Sequence, residues 1–251
     1  MNKKKSFTLA ETLITLTILG AIAVLVISNI INRISDRIAI TQLKRAYALI
    51  DNAIQEMYVI EGLPDTWMQG YMPAQKTDVR FGKSLINHLP YEDYRDYGCC
   101  SHSNFFPKKY GHDLNSYYRK YKSLNGNITE NIEGENGFPI ILKNRMYISQ
   151  IKANYYTYGK TLFYPDTKGI VTIRVDVNGI KGPNRYGYDV FFFTVDPEAG
   201  LNFKSTYDTA EKNNCNKNSN VSDANSGKSC AYWVLRHNNM AYKYRDVSND
   251  W

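Results

Sequence analysis

The chain opens with MNKKKSFTLAE (residues 1–11), and an apolar run, TLITLTILGAIAVLVISNII (residues 12–31), follows directly. No charged residue lies between Glu11 and Arg33. A helix needs about 20 apolar residues, at about 1.5 Å each, to span the hydrocarbon core of a bilayer. Because lipid offers the backbone no hydrogen-bond partners, the run predicts a membrane-spanning helix despite its many β-branched residues.

Three interpretations of this N-terminal run compete. A secretory signal peptide would explain the basic start, the apolar run and the small-x-small sequence Ala21-Ile22-Ala23. A plain membrane anchor would explain the length of the run. The third interpretation rests on Glu11, because a carboxylate at the edge of an apolar span is costly without a partner and is a functional candidate by default. A signal peptide gains nothing from this residue.

The helical pattern continues past the apolar run. Apolar residues recur at steps of three to five on one side and charged residues take the other positions, which is typical of an amphipathic helix. The residues on that side are Ile34, Ile38, Leu43, Tyr47, Ile50, Ile54, Met57 and Tyr58, with Glu61 at the end. Gly62-Leu63-Pro64 ends the pattern, since Gly suits the position after a helix and Pro cannot continue it. We therefore predict one continuous helix over residues 7–61.

The sequence Ser6-Phe7-Thr8-Leu9-Ala10-Glu11-Thr12-Leu13-Ile14 resembles the cleavage and methylation motif of type IV prepilins and type II secretion pseudopilins. In that family a short basic leader is removed just before a Phe, the new N-terminus is methylated, and a Glu occupies the fifth mature position. The resemblance implies cleavage between Ser6 and Phe7, N-methylation of Phe7, and a role in assembly for Glu11. Ser6 departs from the Gly that the family usually has there.

The resemblance also implies an architecture and a set of partners. The fold would be α+β and pilin-like, with a long N-terminal membrane-spanning helix packed on a small antiparallel β-sheet domain. The domains would be a leader (1–6), the helix (7–61, transmembrane at about 12–31) and an extracytoplasmic globular α+β domain (62–251). The partners would be prepilin peptidase, other pilin or pseudopilin subunits in a homo- or hetero-filament, the inner-membrane assembly platform and membrane lipid.

Charge adds an orientation and argues against one class of partner. Lys3, Lys4 and Lys5 favour a cytoplasmic N-terminus, so the helix would cross the inner membrane once and place the globular domain in the periplasm or outside the cell. The formal net charge is +7, and these three lysines belong to the predicted leader. The charge that remains is too small to argue for nucleic acid, and no run of basic residues with interleaved aromatic residues stands out.

Apolar and alternating segments after residue 137 predict an antiparallel sheet. The predicted strands are 139–143, 146–152, 170–177, 188–195 and 201–204. Asn144-Arg145 would form the turn of a hairpin between the first two, and three or four strands can cover the apolar stripe of the long helix. Short helices are predicted before the sheet, at 81–89, 91–97 and 114–121.

The segment DVNGIKGPNRYGYD (residues 176–189) joins two of these strands and is a candidate ion site. Its start, Asp-x-Asn-Gly, resembles a calcium loop, and calcium takes six to eight oxygen ligands at flexible geometry. In that case Asp176, Asn178 and Asp189 would supply side-chain oxygens and Ile180 its backbone carbonyl. A purely structural turn is the alternative, since Asn-Gly and Gly-Pro-Asn favour turns and Asp and Asn cap their own backbone.

The chain has four cysteines, an even number that suits a domain folding where disulfides form. Type IV pilins often close a C-terminal region with one disulfide, and Cys215 and Cys230, which flank a polar loop, look like that pair. Cys99-Cys100-Ser101-His102 raises the alternative of a zinc site. Two adjacent cysteines rarely bind one ion, however, so Cys99 and Cys100 are expected to pair elsewhere or stay reduced.

The sequence contains no common catalytic or nucleotide-binding motif of the kinds G-x-S-x-G, H-E-x-x-H, P-loop or G-x-G-x-x-G. We therefore predict a structural, non-enzymatic subunit of a type IV pilus or type II secretion filament, with calcium as the one cofactor to consider. Two alternatives stay open. One is a minor tip subunit that contacts substrate, DNA or a surface, which the large globular domain favours. The other is a membrane-anchored secreted enzyme, which no motif supports.

Overall fold

The computed structural model describes residues 8–62, 74–94, 120–127, 129–131, 140–155, 169–179, 181–196, 200–202, 214–217 and 226–250. The predicted leader, Phe7, Ile180 and the Cys99-Cys100 pair lie outside these ranges. The helices are α1 (Leu9–Ile60), α2 (Ala74–Asn87), α3 (Cys230–His237) and a 3-10 turn (Ala241–Lys243). The strands are β1 (Tyr91–Tyr94), β2 (Lys120–Lys122), β3 (Thr129–Asn131), β4 (Ile140–Leu142), β5 (Tyr147–Tyr155), β6 (Gly169–Asp176), β7 (Val190–Asp196) and β8 (Gly200–Asn202). The fold class is α+β.

Helix α1 is 52 residues long and includes the whole apolar run. Its course beyond residue 31 confirms the prediction of one continuous helix. The chain divides into two compact units, Met1–Ile38 and Ala39–Trp251. In the first unit, large apolar side chains are exposed at consecutive positions, as at Ile18 and Leu19, so no side of the helix is polar.

In the second unit, α1 buries a single apolar stripe. The fully or almost fully buried residues of this stripe are Leu43, Ala46, Ile50, Ala53, Ile54 and Met57. Their spacing of three and four residues is the predicted amphipathic pattern. The prediction is wrong for Ile34 and Ile38, which are 52% and 55% exposed. Both belong to the first unit, and the buried stripe begins only at Ile40.

The main sheet has six antiparallel strands in the order β1-β4-β5-β6-β7-β8, and β2 and β3 form a separate antiparallel pair. The β4–β5 hairpin turns at the predicted Asn144-Arg145. There the Met146 N–H donates to Asn144 Oδ1 at 3.0 Å, and Arg145 takes a φ of 69°. Because the turn is stabilised by residues next to one another in the chain, the hairpin could be predicted from local sequence.

Strand β6 divides its residues between two buried faces. One face belongs to the same hydrophobic cluster as the α1 stripe and consists of Val171, Ile173 and Val175. On that side, Tyr47 of α1 meets Phe193 of β7 edge to face, with 5.8 Å between ring centroids. Arg174 and Asp176 alternate with the apolar residues and therefore point to the opposite face, where they too are buried.

A small aromatic layer covers this opposite face. Tyr121 of β2 and Tyr186, which follows β6, are fully buried and lie 6.2 Å apart. Arg174 donates from Nε to Ser149 Oγ at 2.9 Å and from Nη1 to the Tyr186 hydroxyl at 3.2 Å. Its guanidinium also lies 4.9 Å from the centre of the Tyr121 ring. Hydroxyl and π contacts thus stabilise a charge that would otherwise be expensive to bury.

The described parts of two predicted short helices, 91–97 and 114–121, are strands, and residues 95–97 and 114–119 lie outside the described residues. Residues 91–94 form β1, which pairs with β4, and residues 120–122 form β2, which pairs with β3. Tyr-rich segments pack well on a pleated surface, and the partner of β1 lies far along the chain, whereas β3 follows β2 closely. The sheet is consequently larger than the predicted three or four strands. The helix predicted at 81–89 corresponds to the second half of α2.

Replacing Ile54 should test the buried stripe. Ile54→Ala should lower the free energy of unfolding by about 2–5 kcal/mol, because it removes a fully buried side chain from the core. Val59 lies on the same helix but is 85% exposed, so Val59→Ala should change stability by less than about 0.5 kcal/mol. Denaturant unfolding of the full-length protein in detergent measures both. Equal losses in the two variants would contradict the stripe.

Candidate functional site

Glu11 lies in the first turn of α1 and is bonded to Thr8. Thr8 donates to Glu11 Oε2 from its backbone N–H, at 2.8 Å, and from its hydroxyl, at 2.9 Å. In return the Glu11 N–H donates to Thr8 Oγ1 at 3.3 Å. This reciprocal arrangement is a capping box, which satisfies N–H groups that the start of a helix leaves unpaired.

The capping box gives Glu11 a local role that the sequence prediction left out, although the Thr8-x-x-Glu11 spacing is its usual signature. Both hydrogen bonds from Thr8 end on Oε2, and no donor within the described residues reaches Oε1. The box satisfies hydrogen bonds and leaves the negative charge in place. Ser6 and Phe7, the predicted processing site, lie outside the described residues.

Within the part of the chain that the structure describes, α1 alone is long and apolar enough to cross a membrane. The apolar residues concerned are not buried inside the protein. A cleaved signal sequence at an N-terminus meets the same criterion. What length and composition establish is that this surface needs lipid or other apolar helices around it.

The β6–β7 loop, residues 177–189, is organised around the carboxylate of Asp189. This side chain is buried, and its Oδ2 accepts the Asn184 N–H at 2.8 Å and the Asn178 side-chain N–H at 3.1 Å. Its Oδ1 accepts the Arg185 N–H at 2.7 Å. The Val177 N–H donates to the backbone carbonyl of Asp189 at 2.9 Å. One residue therefore draws both halves of the loop together.

Asp176, the last residue of β6, has no exposed surface. Its Oδ1 accepts the backbone N–H of Asn178 at 3.2 Å, which makes a local turn. Its Oδ2 has no hydrogen-bond partner among the described residues. Burial, followed by the negative charge of Asp189, raises the pKa of Asp176 well above its ordinary value.

Burial also raises the pKa of Asp189, to about 6, although the N–H groups of Arg185, Asn184 and Asn178 oppose the rise. A folded-state pKa above the unfolded value means that the loop gains stability when the carboxyl group is protonated. That contribution is lost as the pH rises through the folded-state pKa.

The structure brings Asp176, Asn178 and Asp189 together, and it adds Asn184, which the sequence prediction did not include. Asn178 Oδ1 and Asn184 Oδ1 are both buried, and neither has a hydrogen-bond partner among the described residues. Within those residues, no group of three or more His, Cys, Asp or Glu stands ready to hold a metal. The oxygen atoms of this loop come instead from two carboxylates and two amides.

Three contacts from other segments hold the loop in place. Lys122 of β2 forms two backbone hydrogen bonds with it, at 2.9 and 2.8 Å. The hydroxyl of Tyr242 donates to the Gly187 carbonyl at 2.5 Å. Cys230, which forms a disulfide bond with Cys215, packs directly against Gly187. The loop is therefore the point where β2 and the C-terminal segment meet the main sheet.

Two of the four histidines lie in the described residues, and each has structural contacts. The ring of His88 bridges two carboxylates of α1 and its end, with Nδ1 3.3 Å from Glu56 Oε2 and Nε2 3.0 Å from Glu61 Oε1. The Ser84 hydroxyl donates to Glu61 rather than to His88. The ring of His237 stacks on Trp233 at 4.0 Å. His88 therefore ties α2 to the end of α1.

Comparison with known proteins identifies no family for this chain. No protein-family model, no curated protein and no solved structure matches it. Function is therefore inferred from the residues and contacts themselves.

Gly187→Ala should test the packing of the loop against the disulfide. Gly187 has a φ of +74°, and an added Cβ would lie 2.8 Å from Cys230 Sγ. Gly200→Ala is the matched control, because Gly200 has a φ of +73° but nothing within 4 Å of an added Cβ. The left-handed backbone alone costs about 1–2 kcal/mol, so both variants should lose that much stability.

The clash should lower the free energy of unfolding of Gly187→Ala by at least about 1 kcal/mol more than that of the control. Denaturant unfolding of both full-length variants in detergent measures the difference. A loss no larger than that of Gly200→Ala would show that the packing is looser than described.

Proposed function

We propose that this chain is a structural subunit, a pilin or pseudopilin, of a type IV pilus or type II secretion filament. Prepilin peptidase would remove the leader before Phe7, and the N-terminal helix would hold the subunit in the inner membrane until assembly. The observation that carries the proposal is a helix with apolar side chains exposed all round, which begins at a carboxylate.

A helix that is apolar on every side needs an apolar environment on every side. Lipid would supply it before assembly, and the bundled helices of neighbouring subunits would supply it in a filament. The buried stripe would attach the part of α1 in the second unit to the globular core of that unit. A signal peptide would have no use for such an attachment, because it is cut away.

Glu11 would act through its charge. A single Asp at the centre of a membrane helix costs about 2.5–3.5 kcal/mol on insertion scales, and a carboxylate among apolar helices faces a similar penalty. In the filament, the N-terminal amine of a neighbour's Phe7 would neutralise it. A buried ion pair is favourable only when its geometry is right, so the pair would fix the axial register of neighbouring subunits.

The disulfide supports the proposed location. Cys215 and Cys230 are bonded and fully buried, and disulfides persist mainly in oxidising compartments. With the N-terminus in the cytoplasm and a single crossing, the globular domain would lie in the periplasm or outside the cell.

Two substitutions separate the charge of Glu11 from its capping role. Glu11→Gln keeps an oxygen that can complete the capping box but removes the charge. Thr8→Ala removes the box but leaves the charge. If the charge sets the register, Glu11→Gln should reach the membrane at the wild-type level but enter filaments at least about tenfold less. A tenfold change corresponds to a loss of about 1.4 kcal/mol in the free energy of assembly. Thr8→Ala should assemble almost normally.

Immunoblots of membrane and sheared-filament fractions measure both variants. Normal assembly of Glu11→Gln together with failure of Thr8→Ala would assign Glu11 to helix capping and defeat the register role. N-terminal sequencing of the membrane protein tests processing separately. A mature chain that starts near Val24 rather than at Phe7 would identify an ordinary signal peptide.

A minor tip subunit is the second candidate. After the long helix the chain has roughly 190 residues, more than a minimal filament subunit needs. Copy number distinguishes the two, because a major subunit would account for most of the filament mass and a tip subunit for a few copies per filament.

A further inference from the structure

The end of β6 and the β6–β7 loop contain three buried oxygen atoms that accept no hydrogen bond of ordinary length and angle from the described residues. They are Asp176 Oδ2, Asn178 Oδ1 and Asn184 Oδ1. The side chains of Asp176 and Asn184 are at least nine-tenths buried, with exposures of 0% and 4%. A buried acceptor without a donor is costly, and native proteins rarely retain one without a reason. Three in a single loop indicate a ligand that interacts with oxygen.

The charge of the loop indicates what that ligand is. Asp176 and Asp189 place two carboxylates in one small region, and both side chains are buried, with exposures of 0% and 2%. A bound water could donate hydrogen bonds to the oxygens, but it would leave two like charges in place. A cation would satisfy the oxygens and neutralise the carboxylates together.

The amide of Asn178 shows how the oxygens could converge. Its Nδ2 lies 3.1 Å from Asp189 Oδ2 and 3.2 Å from the carbonyl oxygen of Gly182. The amide oxygen and nitrogen are nearly equal in size, so a half-turn of the amide exchanges them. Three oxygens would then face one another, which is repulsive when nothing lies between them and favourable around a cation.

We propose that the β6–β7 loop binds one calcium ion through side-chain oxygens of Asp176, Asn178, Asn184 and Asp189, with the Gly182 carbonyl as a further ligand. The ligands are hard oxygens without Cys or His, which argues against zinc. Asp189 also accepts the backbone N–H groups of Asn184 and Arg185, so the ion must tolerate irregular geometry and shared ligands. Calcium does so, whereas magnesium demands a near-ideal octahedron.

The ion would stabilise more than the loop itself. Because Lys122, Tyr242 and Cys230 all contact this loop, fixing its backbone would fix the docking site of β2 and of the C-terminal segment. Calcium would therefore raise the thermal stability of the globular unit, since it binds only the folded loop. This effect does not depend on whether the chain enters a filament.

The test uses full-length protein in detergent, stripped with EGTA and titrated with calcium chloride. Isothermal titration calorimetry should give one ion per chain. The melting temperature, followed by near-UV circular dichroism, should rise by roughly 5–10 °C at a calcium concentration one hundred times the Kd. Magnesium at the same concentration should reproduce only a small part of the rise.

Asp176→Asn should abolish the calcium-dependent rise. In EGTA the same variant should melt at a higher temperature than the wild type, because a neutral amide replaces a buried carboxyl group at nearly constant side-chain volume. Asp196→Asn is the matched control, since Asp196 ends the same strand that Asp189 precedes. Its response to calcium should equal that of the wild type.

Terbium provides a readout that needs no variant. Bound terbium should be excited through Tyr186 and Tyr188 in the loop, and calcium should displace it and quench the emission. The proposal is overturned if the wild type shows neither binding heat nor a change in melting temperature up to about 1 mM calcium, the range of the weakest calcium sites. A calcium response that survives Asp176→Asn would place the ion elsewhere and overturn it equally.

Discussion

The packing of one apolar stripe of α1 against one face of the main sheet is the constraint on which the rest of the globular unit depends. Because β6 alternates, placing Ile173 and Val175 toward the helix forces Arg174 and Asp176 to the other side. A slip of one residue would exchange the two sets and bury both charges against the helix. The buried polar residues beneath β2 thus follow from the packing of the apolar residues of β6 against α1.

The fold satisfies the buried charges on that side unequally. Arg174 reaches two hydroxyl groups and the face of Tyr121, and Asp189 accepts three N–H groups from its own loop. Asp176 has one such bond, and its second oxygen has no partner among the described residues. This uneven hydrogen bonding lies where β2 and the C-terminal segment contact the sheet. The region that holds the buried charges is therefore also the region where distant segments of the chain pack together.

How far the sequence predicts this structure depends on how local each signal is. The apolar run and the stripe of α1 are patterns in the sequence of the helix itself, and the Asn144-Arg145 turn depends on neighbouring residues. All three could therefore be predicted from the sequence. β1 could not, because it becomes a strand only by pairing with the distant β4. β2 could not, because its three residues are too few to show an alternating pattern. The sequence pattern also placed the start of the stripe earlier than the first buried residue, Ile40. Periodicity alone does not show which turns of a helix other parts of the protein cover.

The candidate sites follow the same rule. The Thr8-x-x-Glu11 capping box is visible in the sequence and is missed only when Glu11 is considered for its charge alone. Asn184 is different, because nothing near it in sequence shows that its amide oxygen is buried or that its backbone carbonyl accepts the Lys122 N–H of β2. Gly187 lies against Cys230, so the Cys215–Cys230 bridge rests on the loop that joins β6 to β7. The cross-link thereby fastens the C-terminal segment at the edge of the sheet where these two strands are connected.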